Sequence, residues 1–402
     1  MTQDNPLRST IARSLSRRRL LQVAGIGGAA TVAAACGVSP TGSGSASGTP
    51  SAATQEDRSE QDKSVNWSTW VAYIDIDDDT GERPSLTRFE EETGISVKYT
   101  EDINDNNEFY AKVRPQLDKG QDIQRDLVVL TDWMAAKWID SGYAMTIDKT
   151  NVPNAGNLLD QLRGVAFDPN RDHTMPWQSG FAGLGYNTDL VKELTGKSEL
   201  RTVEDLWDPA LKGRVTVLSE MRDTMGVIMA AQGTDITSFT EDQFNQAIDE
   251  LQRQIDSGQI RQVTGNDYLA ALENKDVVAA IGWSGDVAAL GGPFTFTLPE
   301  SGGTLWTDNM LIPAMAAHKA NAEKLINFYY DPANAAEVAA YVQYICPVQG
   351  AQEAIAEIDP ELVDNPFIFP DDATLANAKV FKPLTDAEAA SYDAAFQSAI
   401  GA

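Results

Sequence analysis

A chain of 402 residues is long enough for two domains of ordinary size, or for one large α/β unit split by a cleft. Its 31 Lys+Arg stand against 59 Asp+Glu, for a formal net charge of -28. That balance excludes a nucleic-acid partner, since phosphate binding needs a basic face, and it suits a solvated surface that concentrates cations nearby.

The first 35 residues read as a targeting segment and not as part of the fold. Ser16-Arg17-Arg18-Arg19-Leu20-Leu21 precedes a Gly-broken apolar run that ends in Ala33-Ala34-Ala35-Cys36-Gly37, too short and too Gly-rich for a comfortable membrane span. Serine, consecutive arginines and leucines form the pattern of a twin-arginine export signal, and small residues before a cysteine match the lipobox of bacterial lipoproteins. The expectation is a signal peptide over 1–35 and a mature chain that begins at a lipidated Cys36, tethered to the outer face of the cytoplasmic membrane. Its location is then extracytoplasmic, in the periplasmic or cell-wall space. Only Cys346 remains as a thiol, which leaves no intramolecular disulfide and suits a small buried apolar group. Residues 36–63 are Gly/Ser/Thr/Pro/Ala-rich and then charged, which predicts a flexible tether with a reach of roughly 30 Å. The folded body is expected from Ser64.

Beyond it, short apolar runs alternate with helix-period segments. Residues 85–93 carry Leu86 and Phe89 on one face and stop at Gly94, which predicts a helix, and residues 95–99 alternate as a strand. Residues 126–130 predict a fully buried strand feeding a helix through Trp133 and Trp138 to near Gly142. A helix start is expected at Thr202-Val203-Glu204-Asp205 and another buried strand over 213–218. From Thr240 a long helix places Phe244, Ala247, Ile248, Leu251 and Ile255 on one side and closes at Gly258. Strands are expected over 277–283, 294–298 and 310–313, then helices over 318–330 and 332–344. Alternating strands and helices imply an α/β architecture with mainly parallel sheets, whose ligands sit outside the carboxyl ends of strands.

Three chemistry-bearing stretches fall at such ends: Thr131 to Trp133, Glu220 to Asp223 and Trp283 to Asp286. In Gly302-Gly303-Thr304-Leu305-Trp306-Thr307-Asp308 an indole stands two residues from a carboxylate, and a two-residue step along a strand points both to one face. An aromatic plate beside an anion can hold an organic cation. Trp67-Ser68-Thr69-Trp70, Thr131-Asp132-Trp133, Glu220-Met221-Arg222-Asp223 and Trp283-Ser284-Gly285-Asp286 repeat that chemistry. One tryptophan at a strand end is more often a core residue, and Glu220 with Asp223 at i, i+3 also fits a helix first turn. The repetition of Trp with Asp, Glu, Ser or Thr favours a stacked, polar-rimmed slot for a sugar or a cation, and the excess of acid favours the cation. No Gly-Xaa-Ser-Xaa-Gly elbow, phosphate loop, His-Glu-Xaa-Xaa-His or Cys/His cluster occurs. A glycosidase needs only two carboxylates, so that class stays open at this point.

The same residues carry a resemblance. Asn66-Trp67-Ser68-Thr69-Trp70, Phe89-Glu90-Glu91-Glu92-Thr93-Gly94-Ile95-Ser96-Val97, Asp126-Leu127-Val128-Val129, Phe167-Asp168-Pro169-Asn170, Ile281-Gly282-Trp283 and Trp306-Thr307-Asp308 follow the order seen in polyamine-binding proteins. From about Val65 to Phe381 the chain resembles the spermidine/putrescine-binding component of a bacterial ABC importer. The resemblance implies a type II periplasmic-binding-protein fold: two α/β lobes joined by crossing strands, with the ligand cleft between them. Lobe 1 would comprise 64–180 plus 307–352, and lobe 2 would comprise 181–306 plus 353–402. It further implies that Trp67 and Trp70 are aromatic walls with Ser68 between them, that Thr131 and Trp133 supply a hydroxyl and an aromatic, and that Glu220 and Asp223 are paired acids. Trp283, Trp306 and Tyr344 would stack on the ligand, and Asp308 would anchor an amine. Thr69 stands where the spermidine binder has a glutamate and Lys382 where it has a glutamine, which implies an altered substrate range.

The expected function is an extracytoplasmic solute-binding lipoprotein, not an enzyme, that captures a polyamine and delivers it to an ABC permease as a monomer, without metal or cofactor. A sugar-binding relative of the same fold is the alternative, and a surface glycoside hydrolase or a sensory subunit the distant ones.

Overall fold

Among the described residues ten strands form: β1 (Ser64–Trp70), β2 (Ser96–Ile103), β3 (Leu127–Thr131), β4 (Thr174–Asn187), β5 (Val215–Leu218), β6 (Ile260–Thr264), β7 (Ala279–Trp283), β8 (Phe294–Thr297), β9 (Gly303–Leu311) and β10 (Ala378–Lys379). The structure, a computed structural model, describes residues 51–77 and 79–401; the targeting segment, Cys36 and the first part of the tether lie outside the described residues.

The strands make one curled sheet in the order β2-β1-β3-β9-β4-β7-β5-β6, with β10 beside β9 and β8 beside β4. Each flank is parallel, β2-β1-β3 on one side and β7-β5-β6 on the other. The middle is antiparallel, because β9 and β4 run against each other and against their outer neighbours. The expectation of mainly parallel sheets therefore holds on the flanks and fails at the centre. β4 is the reason: it is 14 residues long and buried throughout. It pairs β9 from Thr174 to Ala182, then β7 from Ala182 and β8 from Leu184.

Most helices form where the spacing places them. Helix Pro84–Thr93 ends on Gly94 in the left-handed region, and helix Glu241–Asp256 starts at a Thr240/Gln243 capping box. Thr202 does begin a capped segment, but it is only the 3-10 turn Val203–Trp207, since Pro209 follows at once. On one flank Trp67, Tyr99, Trp177 and Tyr329 pack edge to face or tilted, with ring centroids 5.1–5.7 Å apart. On the other, Phe244 stacks on Tyr392 at 4.1 Å.

The body begins earlier than Ser64. Met315 N–H donates to Ala53 O (2.9 Å), Arg58 N–H to Ala317 O (2.8 Å) and Asn321 N–H to Ser59 Oγ (3.1 Å). Composition marks residues 51–63 as tether, yet their backbone groups find partners on the segment before and within helix Lys319–Tyr329. Backbone pairing of this kind leaves no trace in side-chain periodicity.

Candidate ligand-binding cleft

Four strand ends turn directly into helices, and these turns converge. β2 leads to α1 (Asn106–Leu117), β3 to α2 (Asp132–Asp140), β5 to α3 (Met221–Ala231) and β7 to α4 (Ser284–Leu290). Asp132, Asp223 and Asp286 occupy the first turns of α2, α3 and α4, where the helix dipole favours an anion. The turns surround a cavity of about 380 Å³. That volume is within the range of small-molecule sites.

Asp308 sits on β9 directly opposite Thr131 on β3, so the sheet register brings the two together. Thr131 Oγ1 donates to Asp308 Oδ1 (2.7 Å) and Tyr73 OH to Oδ2 (2.8 Å). Burial pushes the Asp308 carboxyl up to about 7; the Thr131 and Tyr73 hydroxyls oppose this, and the charges of Asp132 and Asp223 add to it. Burial also raises Asp132 to about 6, against the pull of Asn309 and Arg171. Asp223 accepts from Trp283 Nε1 (2.8 Å) and Thr304 Oγ1 (2.7 Å), which fixes the indole plane against the carboxylate, and burial raises its pKa. Glu220 accepts from the backbone and side-chain nitrogens of Asn106, both at 2.9 Å, and burial, then the Asp105 charge, hold it well above the usual carboxylate range. Five carboxylates thus line one cavity: Asp132, Glu220, Asp223, Asp286 and Asp308.

The aromatic walls come from both flanks. Trp70 meets Trp283 edge to face at 6.1 Å, Tyr344 meets Trp306 at 5.2 Å and Tyr73 at 5.6 Å. Gly180 lies opposite Trp306 on β4, and a Cβ there would stand 2.5 Å from the Trp306 ring and 2.8 Å from Tyr344. A Cβ at Gly285 would come within 2.6 Å of Tyr344. These two glycines make room for the rings.

Of the twelve residues expected at a ligand, nine line the cavity: Trp70, Thr131, Trp133, Glu220, Asp223, Trp283, Trp306, Asp308 and Tyr344. Trp67, Ser68 and Thr69 do not. Trp67 stands three positions from Trp70, an odd step that sends it to the opposite face of β1 and into the aromatic core. Ser68 is fully buried and takes a hydrogen bond from Arg125 Nε, and Thr69 is fully buried as well. Lys382 reaches the cavity wall, but its ammonium is spent on Glu388 Oε1 (2.8 Å) and Phe239 O (3.0 Å) and adds no free cation to the slot. Trp133 is covered by the Arg222 guanidinium, 3.9 Å from its ring.

Sequence reasoning missed Tyr73, Arg222 and Asn266, which also line the cavity. Three further acids, Asp132, Asp267 and Asp286, are candidates to replace the carboxylate absent at Thr69. Asp132 and Asp286 are on the cavity, while Asp267 is exposed and off it. Asn266 Nδ2 donates to Asp286 Oδ2 (2.7 Å), which fixes the amide's orientation, and its buried Oδ1 accepts nothing among the described residues. Only the Asn266-Asp267 pair after β6 could have signalled it.

Two α/β flanks bridged by long strands over an acid-lined cleft define a two-lobed binding protein of the periplasmic type. Residues 85–370 match the family described as bacterial extracellular solute-binding protein, and the chain belongs to that family. Among its relatives, the spermidine/putrescine-binding periplasmic protein of Salmonella typhimurium is 28% identical over 309 residues, 76% of this chain and 84% of that one. The putrescine-binding periplasmic protein PotF of Escherichia coli is 27% identical over 349 residues, 81% and 89% of the two chains. The solved structure of a putative spermidine/putrescine ABC transporter from Listeria monocytogenes superposes with a TM-score of 0.72 at 26% identity, covering 84% of this chain and 98% of that one. The resemblance read from the ordered motifs is thereby borne out, and so is the two-lobed fold. The protein is a solute-binding protein of the ABC-transporter kind and not an enzyme.

Proposed function

We propose that the chain is an extracytoplasmic lipoprotein that captures a polyamine of the spermidine/putrescine type and hands it to an ABC permease. The observation that carries this reading is the cluster of five cavity carboxylates among indole and phenol rings, with Asp308 held by Thr131 and Tyr73. Ammonium ends would sit against Asp308, Asp223 and Asp286, and the methylenes between them would lie along Trp70, Trp283, Trp306 and Tyr344. Asn266 Oδ1 is an acceptor ready for a ligand N–H. The relatives' names supply the ligand class.

Three or four cation–π contacts at about 0.5–2 kcal/mol each and charge-assisted hydrogen bonds at about 1.5–3 kcal/mol each sum to on the order of 10 kcal/mol before losses. Micromolar affinity needs about 8 kcal/mol, so water must be expelled by closure of the lobes over the ligand. On this reading lobe 1 is 64–180 plus 307–352 and lobe 2 is 181–306 plus 353–402, so that β4 and β9 each change lobe partway along. Cys36 carries the lipid that holds the protein at the membrane. Cell fractionation tests the anchor: the wild type is expected with the membrane and Cys36→Ser in the soluble extracytoplasmic fraction, and equal distribution of the two would reject it.

A second reading has its own observation. The half-buried Arg222 guanidinium in the cavity wall suits a solute that carries an anionic or strongly polar group besides its amine. Tighter binding of an amino acid or disaccharide than of either polyamine would move that reading to the front.

A further inference from the structure

The sheet's flanks meet at a set of contacts that no cavity residue makes alone. Asn106, the first residue of α1, is fully buried and uses every hydrogen-bonding group of its amide. Its Nδ2 donates to Thr131 Oγ1 (2.9 Å) and to Glu220 Oε1 (2.9 Å), and its backbone N–H donates to the same Glu220 oxygen (2.9 Å). Thr131 N–H in turn donates to Asn106 Oδ1 (3.3 Å), a bond that fixes which end of the amide is which. Thr131 Oγ1 in turn donates a hydrogen bond to Asp308, so donation runs outward from Asn106, directly to Glu220 on one side and through Thr131 to Asp308 on the other.

Glu220 and Asn106 belong to opposite flanks of the sheet, at the ends of β5 and β2. Two neighbouring contacts bridge the same gap. Ser219 Oγ donates to Asp105 Oδ2 (3.0 Å), and Gly265 approaches Asn104 so closely that a Cβ would stand 2.5 Å from its carbonyl oxygen.

We infer that Asn106 is a positioning residue that latches the closed cleft, seating Glu220 from one lobe and, through Thr131, Asp308 from the other. In an open cleft Asn106 and Glu220 each return to water, so their bonds exist only in the closed form and act on how long a ligand is held. One amide thereby couples capture at Asp308 to the placement of Glu220, and the coupling works through hydrogen bonds that water would replace in the open state. This inference rests on the two-lobed closure proposed above; Asn106 itself does not line the cavity.

The test uses the full chain, its Asn106→Ala and Ser219→Ala variants, and two readouts. In spermidine titration and stopped-flow release, Asn106→Ala is expected to raise the Kd about tenfold or more, nearly all of it through faster dissociation, and Ser219→Ala about threefold. In small-angle scattering without ligand, Asn106→Ala is expected to be more extended than the wild type, while the melting temperatures of both variants stay within a few degrees of it. A Kd for Asn106→Ala within twofold of wild type, or unchanged scattering, would overturn the latch, and so would slower association at an unaltered dissociation rate. Ser219→Ala alters a half-exposed hydroxyl and keeps the test open should Asn106→Ala fail to fold. If the wild type takes up no spermidine the ligand reading falls, and the scattering comparison alone decides the latch.

Discussion

Asp308 lies on β9 opposite Thr131, with its carboxylate on the cavity. Buried between two hydroxyl donors and near two other acids, it holds its proton up to about pH 7 when the cleft is empty. A bound ammonium favours the carboxylate, so cation affinity is expected to rise as pH climbs from about 6 to about 8, with proton release on binding. Titration in two buffers of different ionisation enthalpy measures that release; pH-independent affinity would remove Asp308 from the ligand. The sign for stability is the reverse. Asp308 and Asp132 bind protons in the folded state up to about 7 and 6, whereas an unfolded aspartate loses its proton near pH 4, so the unliganded protein loses stability as pH rises from about 4 to about 7. Thermal melts across that range check it. Trp67 belongs to the core and not the cleft: Trp67→Ala is expected to cost about 3–5 kcal/mol of stability and leave ligand affinity of the folded fraction near wild type.

The expected residues that line the cavity show what spacing can indicate. Trp283, Asp223 and Glu220 stand at a strand end or within two residues of a helix start, and Trp306 and Asp308 stand two residues apart within β9, so local pattern and tertiary position coincide. Trp67 shows the limit, because grouping it with Trp70 ignored the alternation of faces along β1. Tyr73 and Asn266 lie in irregular turns whose approach to the cleft depends on the whole fold.

At the scale of elements, the strand-to-helix turns were legible because wholly apolar runs followed by acids announce them. β4 was not. Gly180, Gly183 and Gly185 weaken any strand pattern, and their use appears only with the neighbours present, since Trp306, Tyr344, Phe296 and Val287 occupy the space a side chain would need. β9 likewise begins at Gly303, seven residues before the apolar run at Met310, because its polar half faces the cleft. Gly180→Val is therefore expected to displace Trp306 and Tyr344 and to reduce ligand affinity by about tenfold or more while far-ultraviolet dichroism stays unchanged. Wild-type affinity in that variant would mean that neither ring contacts the ligand.

For the molecule as a whole, the two parallel flanks of the sheet are joined through β4 and β9. That geometry permits a hinge at the crossing strands and a cleft that closes by rotation of one half against the other. The general acidity and the N-terminal cysteine motif were plain in the sequence. Which strands crossed, and that residues 53–62 lie on the body, depended on backbone pairing that composition does not encode.

The most direct measurement is isothermal titration calorimetry of the chain from residue 51 onward, with spermidine, putrescine and a neutral disaccharide, repeated on Asp308→Asn. Saturable one-to-one heat with a polyamine, none with the disaccharide, and a loss of at least about tenfold in Asp308→Asn is the predicted result. Silence with both polyamines, or undiminished binding in Asp308→Asn, would contradict the assignment of this cleft to an organic cation.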